Sequence, residues 1–252
     1  MRTTKIEWTE ATWNPAVGCT KVTDGCKNCY AEAMARRLQA MGTKGYEQGF
    51  NFTILPDRLL QPFAVKQPTK FFVNSMSDLF HEKMPFEYLD KVFEVIRKTP
   101  HHYYQILTKR DKNLKKYFKI RQVPSNVWLG VTVENKNAKN RIESLISIDA
   151  TIRFVSIEPL IGDVGLLDLS GVHWVIVGGE SGSSARPMNP DWPKSIQKQC
   201  ERQNVAFFFK QWGTWGEDGR KRSKRANGSL LLGKEWKEEP KIIKSLLENR
   251  NS

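Results

Sequence analysis

The chain has 252 residues and carries 40 Lys and Arg against 27 Asp and Glu, a formal net charge of +13. Its 39% hydrophobic and 11% aromatic residues exclude an intrinsically disordered protein, and its 4 Cys exclude a disulfide-rich scaffold. Since no apolar run is long enough to span a bilayer and no apolar stretch follows the first charged residues, we expect a soluble cytoplasmic protein without membrane partners.

The first distinctive feature along the chain is a group of three cysteines within eleven residues. Cys19, Cys26 and Cys29 lie at intervals of six and two residues, whereas Cys200 lies far away in a predicted helix. In a reducing compartment, clustered cysteines favour a metal site over disulfides. Three ligands suit an iron–sulfur cluster with one open iron, while a structural zinc would need a fourth ligand brought in by folding. Unrelated buried cysteines are the remaining alternative.

Short apolar runs then alternate with segments of helical periodicity. Helices are predicted at 31–41, 86–98, 137–146 and 193–203. Strands are predicted at 71–74, 103–107, 127–133, 152–157, 174–177 and 205–209. This alternation predicts parallel pairing through right-handed crossovers. We therefore expect an α/β fold, a single-domain partial (β/α) barrel of about six parallel strands over residues 1–252. Its cluster-binding loop would occupy about 13–31 and its basic C-terminal tail about 213–252. A doubly wound open sheet is the alternative.

Each predicted strand ends in polar or charged residues. The ends are Asn74 to Asp78, Thr108 to Arg110, Glu134, Glu158, Gly178 to Glu180, and Lys210 to Trp212. In barrels and open α/β sheets the site lies at the carboxyl ends of the strands, so we expect these residues to line one pocket. Strand ends are also polar because they meet water, but acids at three successive ends favour a site.

The positive charge predicts an acidic partner, with nucleic acid as the first candidate. A dense basic run lies between Gly219 and Gly228 and is interpreted as a mobile loop. Its cations are Arg220, Lys221, Arg222, Lys224 and Arg225. Cations that hold phosphates and aromatic rings that stack on bases form nucleic-acid sites, and we expect Trp212 and Trp215 to be exposed for this purpose. A solvated loop is the alternative.

The cysteine group resembles that of the radical S-adenosylmethionine superfamily, in which three cysteines lie in an early loop ahead of a β/α barrel. The usual first interval there is three residues, so the six residues seen here are a departure. Further blocks along almost the whole chain resemble the phage- and prophage-associated "three-Cys-motif" family of unknown function, which is distantly similar to the spore photoproduct lyase type. Those blocks include Trp13-Asn14-Pro15 and the segments 72–81, 107–110, 129–135, 156–160, 175–187 and 208–213.

The resemblance implies that Cys19, Cys26 and Cys29 hold a [4Fe-4S] cluster whose open iron chelates S-adenosyl-L-methionine (S-adenosylmethionine). It implies an enzyme that generates a 5′-deoxyadenosyl radical and modifies or repairs a nucleic acid or nucleotide. An electron donor protein, and room for a separate partner protein, are implied as well; no catalytic residue is assigned. The implied cofactor-binding residues are Ser75, Ser77 and Asp78 for the methionine amino group, Thr108 and Lys109 for its carboxylate or the ribose, Glu134 for the ribose, Glu158, and Gly178, Gly179 and Glu180 for adenine or substrate.

Two other functions fit parts of the sequence. A nucleic-acid-binding protein with a structural zinc or iron–sulfur site and no catalysis would use the basic charge. It would have no use for Glu134, Glu158 and Glu180 near a phosphate groove. A metal-dependent hydrolase would use those acids, but the chain lacks histidines at ligand spacing.

Overall fold

The structure, a computed structural model, describes residue 4 and residues 6–240. The chain divides into two compact units: Met1–Val131 with Ser147–Thr151, and Thr132–Ile146 with Ile152–Ser252. Residues 241–252, the end of the predicted basic tail, lie outside the described residues. No helix in the described part of the chain is both long and apolar enough to cross a membrane.

The first unit is built on parallel strands. Its elements in chain order are β1 (Ala11–Trp13), β2 (Ala16–Val17), α1 (Tyr30–Ala40), β3 (Thr53–Ile54), β4 (Lys70–Val73), α2 (Phe86–Lys98), β5 (Tyr103–Thr108), α3 (Asp111–Phe118) and β6 (Val127–Thr132). β1 pairs with β4, β4 with β5 and β5 with β6, all in parallel, while β2 and β3 form a short antiparallel pair. The carboxyl ends of the four parallel strands therefore share one edge of this sheet.

Two amphipathic helices pack together in the first unit. α2 has the predicted bounds, and its predicted apolar face is buried, with Leu89, Val92, Phe93 and Ile96 all inaccessible to solvent. α3 was not predicted. Its buried Tyr117 and Phe118 rings each lie 5.3 Å from the Phe93 ring, so aromatic contacts fix α3 against α2.

The second unit repeats the strand–helix pattern. Its elements in chain order are α4 (Asn140–Ile146), β7 (Ile152–Ile157), β8 (Trp174–Gly178), α5 (Asp191–Arg202), β9 (Ala206–Gln211), α6 (Lys224–Asn227), β10 (Leu230–Leu231) and β11 (Lys234–Glu235). β7 pairs with β8 and β8 with β9, all in parallel, and β10 and β11 form an antiparallel hairpin. Every residue of β8 is buried, as expected for a parallel strand covered on both faces.

The predicted fold class is confirmed: the protein has the α/β fold of a partial (β/α) barrel. In each unit, neighbouring parallel strands lie in the sheet in the same order as in the chain. In a doubly wound sheet this strand order would reverse part of the way across, so the doubly wound alternative is wrong. Within residues 6–240 the parallel strands number seven rather than about six, because β1, with only three residues, is too short to form a recognisable apolar run. The assignment of both units to one domain stays a prediction.

Candidate active site

Residues 18–29, here named the cysteine loop, begin at a glycine that the local backbone requires. Gly18 has φ +75°, and a Cβ at this position would lie 2.1 Å from the Asn51 carbonyl oxygen. The Gly18 amide donates to the Met76 carbonyl (2.9 Å), and the Ser77 hydroxyl donates to the Gly18 carbonyl (2.6 Å). The segment that follows β4 therefore fixes the start of the cysteine loop.

The three cysteines of the loop differ from the fourth cysteine in exposure. Cys19, Cys26 and Cys29 are partly exposed free thiols, whereas Cys200 lies in α5 and is fully buried. Cys29 is the N-cap residue of α1. Burial raises the pKa of Cys200 to about 12, which keeps that thiol protonated.

The donor set of the cysteine loop fits an iron–sulfur cluster, since three free thiols in one short segment are the ligands that such clusters take. The residue types suit a cluster, although the three thiols are not already arranged around one. Among residues 6–240, no group of three or more His, Cys, Asp or Glu side chains is arranged to hold a metal ion. Binding a cluster would therefore draw the three thiols together.

Arg110 lies two residues after the end of β5 and ties this strand to the cysteine loop. Its Nη1 donates to Cys19 Sγ (3.4 Å) and to Asp78 Oδ2 (3.1 Å), and its Nε donates to both Glu82 carboxylate oxygens (2.9 Å each). Its Nη2 donates to the Thr20 carbonyl (3.0 Å) and hydroxyl (2.9 Å). The side chain is only 4% exposed, so its charge depends on these partners. Burial raises the pKa of Cys19 to about 11, and the Arg110 guanidinium opposes this rise.

Asp78, predicted to bind the methionine amino group, is saturated by protein donors. Its carboxylate accepts from Phe80 N (3.0 Å), Thr108 Oγ1 (2.7 Å), Lys109 N (3.0 Å) and Arg110 Nη1 (3.1 Å). A carboxylate offers about four acceptor sites, so an incoming ammonium would have to displace one of these donors. Asp78 and Thr108 thus join the ends of β4 and β5.

Ser75 and Ser77 are half-buried and retain acceptor capacity. The Ser75 hydroxyl donates to Asn14 Oδ1 (3.2 Å), and the Ser77 hydroxyl donates to the Gly18 carbonyl (2.6 Å). Each bond uses the hydroxyl proton and leaves oxygen lone pairs for a cationic donor. These two residues therefore match their predicted role better than Asp78 does.

His81 is a buried residue of the same region to which the sequence assigned no role. Its Nδ1 accepts from the Lys83 amide (3.1 Å), so the proton of the neutral ring is on Nε2, 3.1 Å from Thr20 Oγ1. Its ring stacks on Phe52 at 4.2 Å. Burial lowers the pKa of His81, which favours this neutral form.

A cavity of about 350 Å³ opens beside Cys19, a volume in the range of small-ligand sites. Glu32 lines it and is paired with Lys21 (2.8 Å) and Arg36 (2.6 Å). The hydrogen bond from Lys21 is the main cause that lowers the pKa of Glu32. None of the residues predicted to bind S-adenosylmethionine lines this cavity. Cys19 is the one predicted site residue among those that line it.

In the second unit, two of the predicted strand-end acids are buried in ion pairs. Glu134 is 1% exposed and accepts from Arg141 Nη1 (2.9 Å), which also donates to a backbone carbonyl. Glu180 is 5% exposed and is held by Arg186 through both its amide and its guanidinium (2.6 and 2.9 Å). Neither arginine was singled out from the sequence. Their positive charges compensate both carboxylates, and the predicted cofactor role of the two acids stays a prediction.

Glu158 is the most exposed of the three acids, with 16% of its side chain accessible and Lys210 Nζ at 3.3 Å. A Cβ on Gly178 would lie 2.3 Å from Glu158 Oε1, and a Cβ on Gly179 would lie 1.9 Å from the Trp212 carbonyl oxygen. Protein neighbours therefore require both glycines irrespective of any ligand. Of the three strand-end acids, Glu158 is the one most open to a ligand.

The expected exposure of Trp212 is wrong. Its side chain is 2% exposed, and its Nε1 donates to the Leu230 carbonyl (2.7 Å), because the segment leading into β10 covers it. Trp215 is half-buried and donates from Nε1 to the Ala185 carbonyl (2.7 Å). With one ring buried and the other partly so, the pair does not form the exposed stacking surface that the sequence predicted.

The basic run at 220–225, which the sequence predicted to be a mobile loop, is helical at its C-terminal end. Arg222 donates to Asp218 Oδ1 (2.9 Å), and Lys221 Nζ donates to the Ser183 carbonyl (2.7 Å). Ser223 caps α6 by accepting from the Ala226 amide, so Lys224 and Arg225 lie in a helix. Local partners thus neutralise part of its charge, and its contact with nucleic acid stays a prediction.

The fold and this site together define a parallel α/β protein with a three-cysteine loop at the carboxyl ends of its first strands. The chain belongs to the family described as "Protein of unknown function (DUF5131)", whose model matches residues 3–240. That description names no activity, and the phage association implied by the resemblance stays a prediction.

Comparison with curated protein sequences finds no match. Among solved structures, the chain is similar to spore photoproduct lyase complexed with dinucleoside spore photoproduct, at 13% identity and a TM-score of 0.47. It is also similar to a variant of that lyase with bound AdoMet and dinucleoside spore photoproduct, at 14% identity and a TM-score of 0.46. Each alignment covers 80% of this chain and 63% of the other, so the chain spans less than two thirds of the length of these proteins.

Proposed function

We propose that the protein is a cytoplasmic radical S-adenosylmethionine enzyme that acts on a nucleic acid or nucleotide. Cys19, Cys26 and Cys29 would hold its [4Fe-4S] cluster. The observation that carries the proposal is the cysteine loop itself: three free, partly exposed thiols in one short loop whose first residues are bonded to the segments that follow β4 and β5. Cofactor sites of barrel-like α/β proteins lie at this edge of the sheet.

When bound, such a cluster supplies the electron, received from a donor protein, that cleaves S-adenosylmethionine to a 5′-deoxyadenosyl radical. The chain's own residues bind and orient. Arg110 holds Cys19 and the start of the loop, and the Ser75 and Ser77 oxygens offer lone pairs to an ammonium group. Lys109, next in chain to Thr108, supplies a cation for a carboxylate.

In the second unit, Glu158 is the predicted cofactor residue that fits a ligand role best. Its partial exposure would let a ligand hydroxyl compete with Lys210, 3.3 Å away, for the carboxylate. Glu134 and Glu180 would have to break buried arginine pairs to do the same, which is strongly unfavourable. We therefore assign cofactor or substrate contact to Glu158 before the other two acids.

The nucleic-acid substrate is supported by the net charge of +13, since a polyanion is the partner that such a charge attracts. An electron donor protein completes the reaction, because the reductive cleavage consumes an electron that must come from outside the chain.

The first test is the metal content of the protein purified without oxygen, with its spectrum recorded before and after S-adenosylmethionine is added. We expect about four irons and four sulfides per chain, the stoichiometry of one cubane cluster, and a spectrum that shifts with the cofactor. One zinc and no sulfide would contradict the proposal and would support a nucleic-acid-binding protein with a structural metal.

A matched pair of cysteine variants tests the ligand assignment. Cys26→Ala removes a partly exposed thiol of the loop, whereas Cys200→Ala removes a buried thiol of α5. We expect iron to be lost in the first and retained in the second, with circular dichroism to confirm that both fold. Equal loss of iron in both folded variants would break the assignment.

A further inference from the structure

α3 carries a row of lysines that the proposed chemistry does not use. The row consists of Lys112, Lys115, Lys116 and Lys119, all of them exposed. These positions follow the spacing i, i+3, i+4 and i+7, which places them on one face of the helix. The opposite face buries Leu114, Tyr117 and Phe118. The lysine row is therefore a surface held in place by a packed helix.

The charge of this row is largely uncompensated. Seven of the thirteen residues from Lys109 to Arg121 are Lys or Arg, and the single acid among them, Asp111, is buried. Within residues 6–240, Lys112, Lys115 and Lys119 form no ion pair, while Arg121 is paired with Asp90 at 2.7 Å.

Such a row costs the helix stability. Like charges at i, i+3 and i, i+4 of a helix repel one another. Lys112 also lies in the first turn, where the helix dipole disfavours a cation. An anion bound along the row would relieve both effects.

A groove of about 900 Å³ lies beside the row. Lys115, Lys116, Lys119 and Arg121 line it with a single carboxylate, that of Asp149. Apolar side chains complete its wall, among them Phe118 and Ile148. Cations that track a backbone beside apolar and aromatic side chains are the composition of grooves that hold nucleic-acid strands.

We propose that the lysine row and this groove bind the phosphate backbone of the nucleic-acid substrate, an inference that rests on the proposed function. From Lys112 to Lys119 the chain rises about 10 Å along the axis of the helix, which is the axial length of about three base-pair steps of 3.4 Å in a duplex. α3 begins one residue after Arg110, the residue bonded to Cys19. Lys112 is therefore the lysine of the row nearest in the chain to the candidate site, and the groove lies towards the other end of α3. Lysines on phosphates carry no sequence information, so this contact is independent of base sequence.

The test compares two triple variants of the full chain in binding fluorescent oligonucleotides, single- and double-stranded, over a range of NaCl concentrations. Lys112→Gln with Lys115→Gln and Lys119→Gln removes three of the four lysines of the row. Lys91→Gln with Arg97→Gln and Lys98→Gln removes the same charge from the exposed face of α2. Lysine and glutamine have similar helix propensities, and circular dichroism checks the fold.

We expect the first variant to bind at least about tenfold more weakly near 0.1 M salt, and its slope of log Kd against log salt to fall by about 2 to 3. That decrease corresponds to three lost phosphate contacts at about 0.7 to 0.9 each. The α2 variant should keep the slope of the unmodified protein. Iron content should be equal in all three proteins, because the row touches no cysteine.

If the row variant keeps the slope and affinity of the α2 variant while the unmodified protein binds oligonucleotides, the inference is overturned and the proposed substrate survives. If the unmodified protein binds no oligonucleotide at any salt concentration, the proposed nucleic-acid substrate and the inference fail together. Binding to vesicles of anionic lipid without binding to oligonucleotides overturns the inference in favour of a membrane surface.

Discussion

At the scale of single residues, Arg110 links the end of β5 to the first cysteine. Its guanidinium donates to Cys19 Sγ and pairs with Asp78 and Glu82. Replacement by Gln removes the guanidinium N–H donors and leaves the buried Asp78 carboxylate without its cation. We expect this to lower the free energy of unfolding by about 3–5 kcal/mol. We expect Arg110→Gln to retain less iron than the unmodified protein. Arg110→Lys should recover part of that iron, because Lys keeps the positive charge but lacks the planar array of guanidinium donors.

Measuring the reduction potential of the cluster shows whether Arg110 positions the cluster or only stabilises the fold. Hydrogen bonds and positive charge at cluster sulfurs raise this potential, so whatever cluster Arg110→Gln retains should have a lower one. Arg121→Gln is the control, since it loses an ion pair with Asp90 in the same unit but no contact with a cysteine. An unchanged potential in Arg110→Gln would contradict the role.

At the scale of elements, the cysteine loop depends on the close packing of its first residue. Gly18 and Gly42 both have positive φ, +75° and +63°, so alanine strains either backbone by roughly 1–2 kcal/mol. Only at Gly18 would the new Cβ meet backbone, 2.1 Å from the Asn51 carbonyl oxygen. In urea denaturation we therefore expect Gly18→Ala to lower the free energy of unfolding more than Gly42→Ala does. It should also reduce iron content, because the loop must move. Equal losses in the two variants would show that the contact with Asn51 is not what fixes the loop.

A helix or strand can be predicted from the sequence when the contacts that stabilise it involve residues close together in the chain. α2 was predicted with its observed bounds because thirteen residues show one apolar stripe. α3 was missed because only three buried apolar residues, at 114, 117 and 118, alternate with lysines, and its packing against Phe93 is a long-range contact. Trp212 was expected to be exposed because it follows polar residues, whereas residues near 230 cover it.

The same limit applies to the candidate site. The cysteine spacing and the polar strand ends are local patterns, and they led to the loop and to the ends of β4 and β5. The arginines that organise the site were not assigned roles, because Arg110 and Cys19 are 91 residues apart in the chain. Glu134 and Glu180 were predicted as ligand contacts, but each carboxylate is compensated by an arginine that only folding brings to it.

At the scale of the whole molecule, three histidines make stability depend on pH. Burial lowers the pKa of His81, His102 and His173 below the ordinary value of 6.5. The ring Nδ1 atoms of His81 and His173 accept backbone amide protons, and His102 Nδ1 is buried without a hydrogen-bond partner among the described residues. Protonation of these nitrogens is therefore unfavourable in the folded state and unrestricted in the unfolded chain.

The direction of the effect follows from proton uptake. Below pH 6.5 the unfolded chain binds protons that the folded protein excludes, so the free energy of unfolding is highest above this pH and decreases as the pH falls. Each such histidine contributes up to about 1.4 kcal/mol per pH unit. We expect urea denaturation between pH 7 and pH 5 to show this decrease, and His173→Asn to reduce its slope, since Asn can still accept from the Arg153 amide but does not titrate. A free energy of unfolding that stays constant or rises over this range would mean that the buried rings take up protons in the folded state.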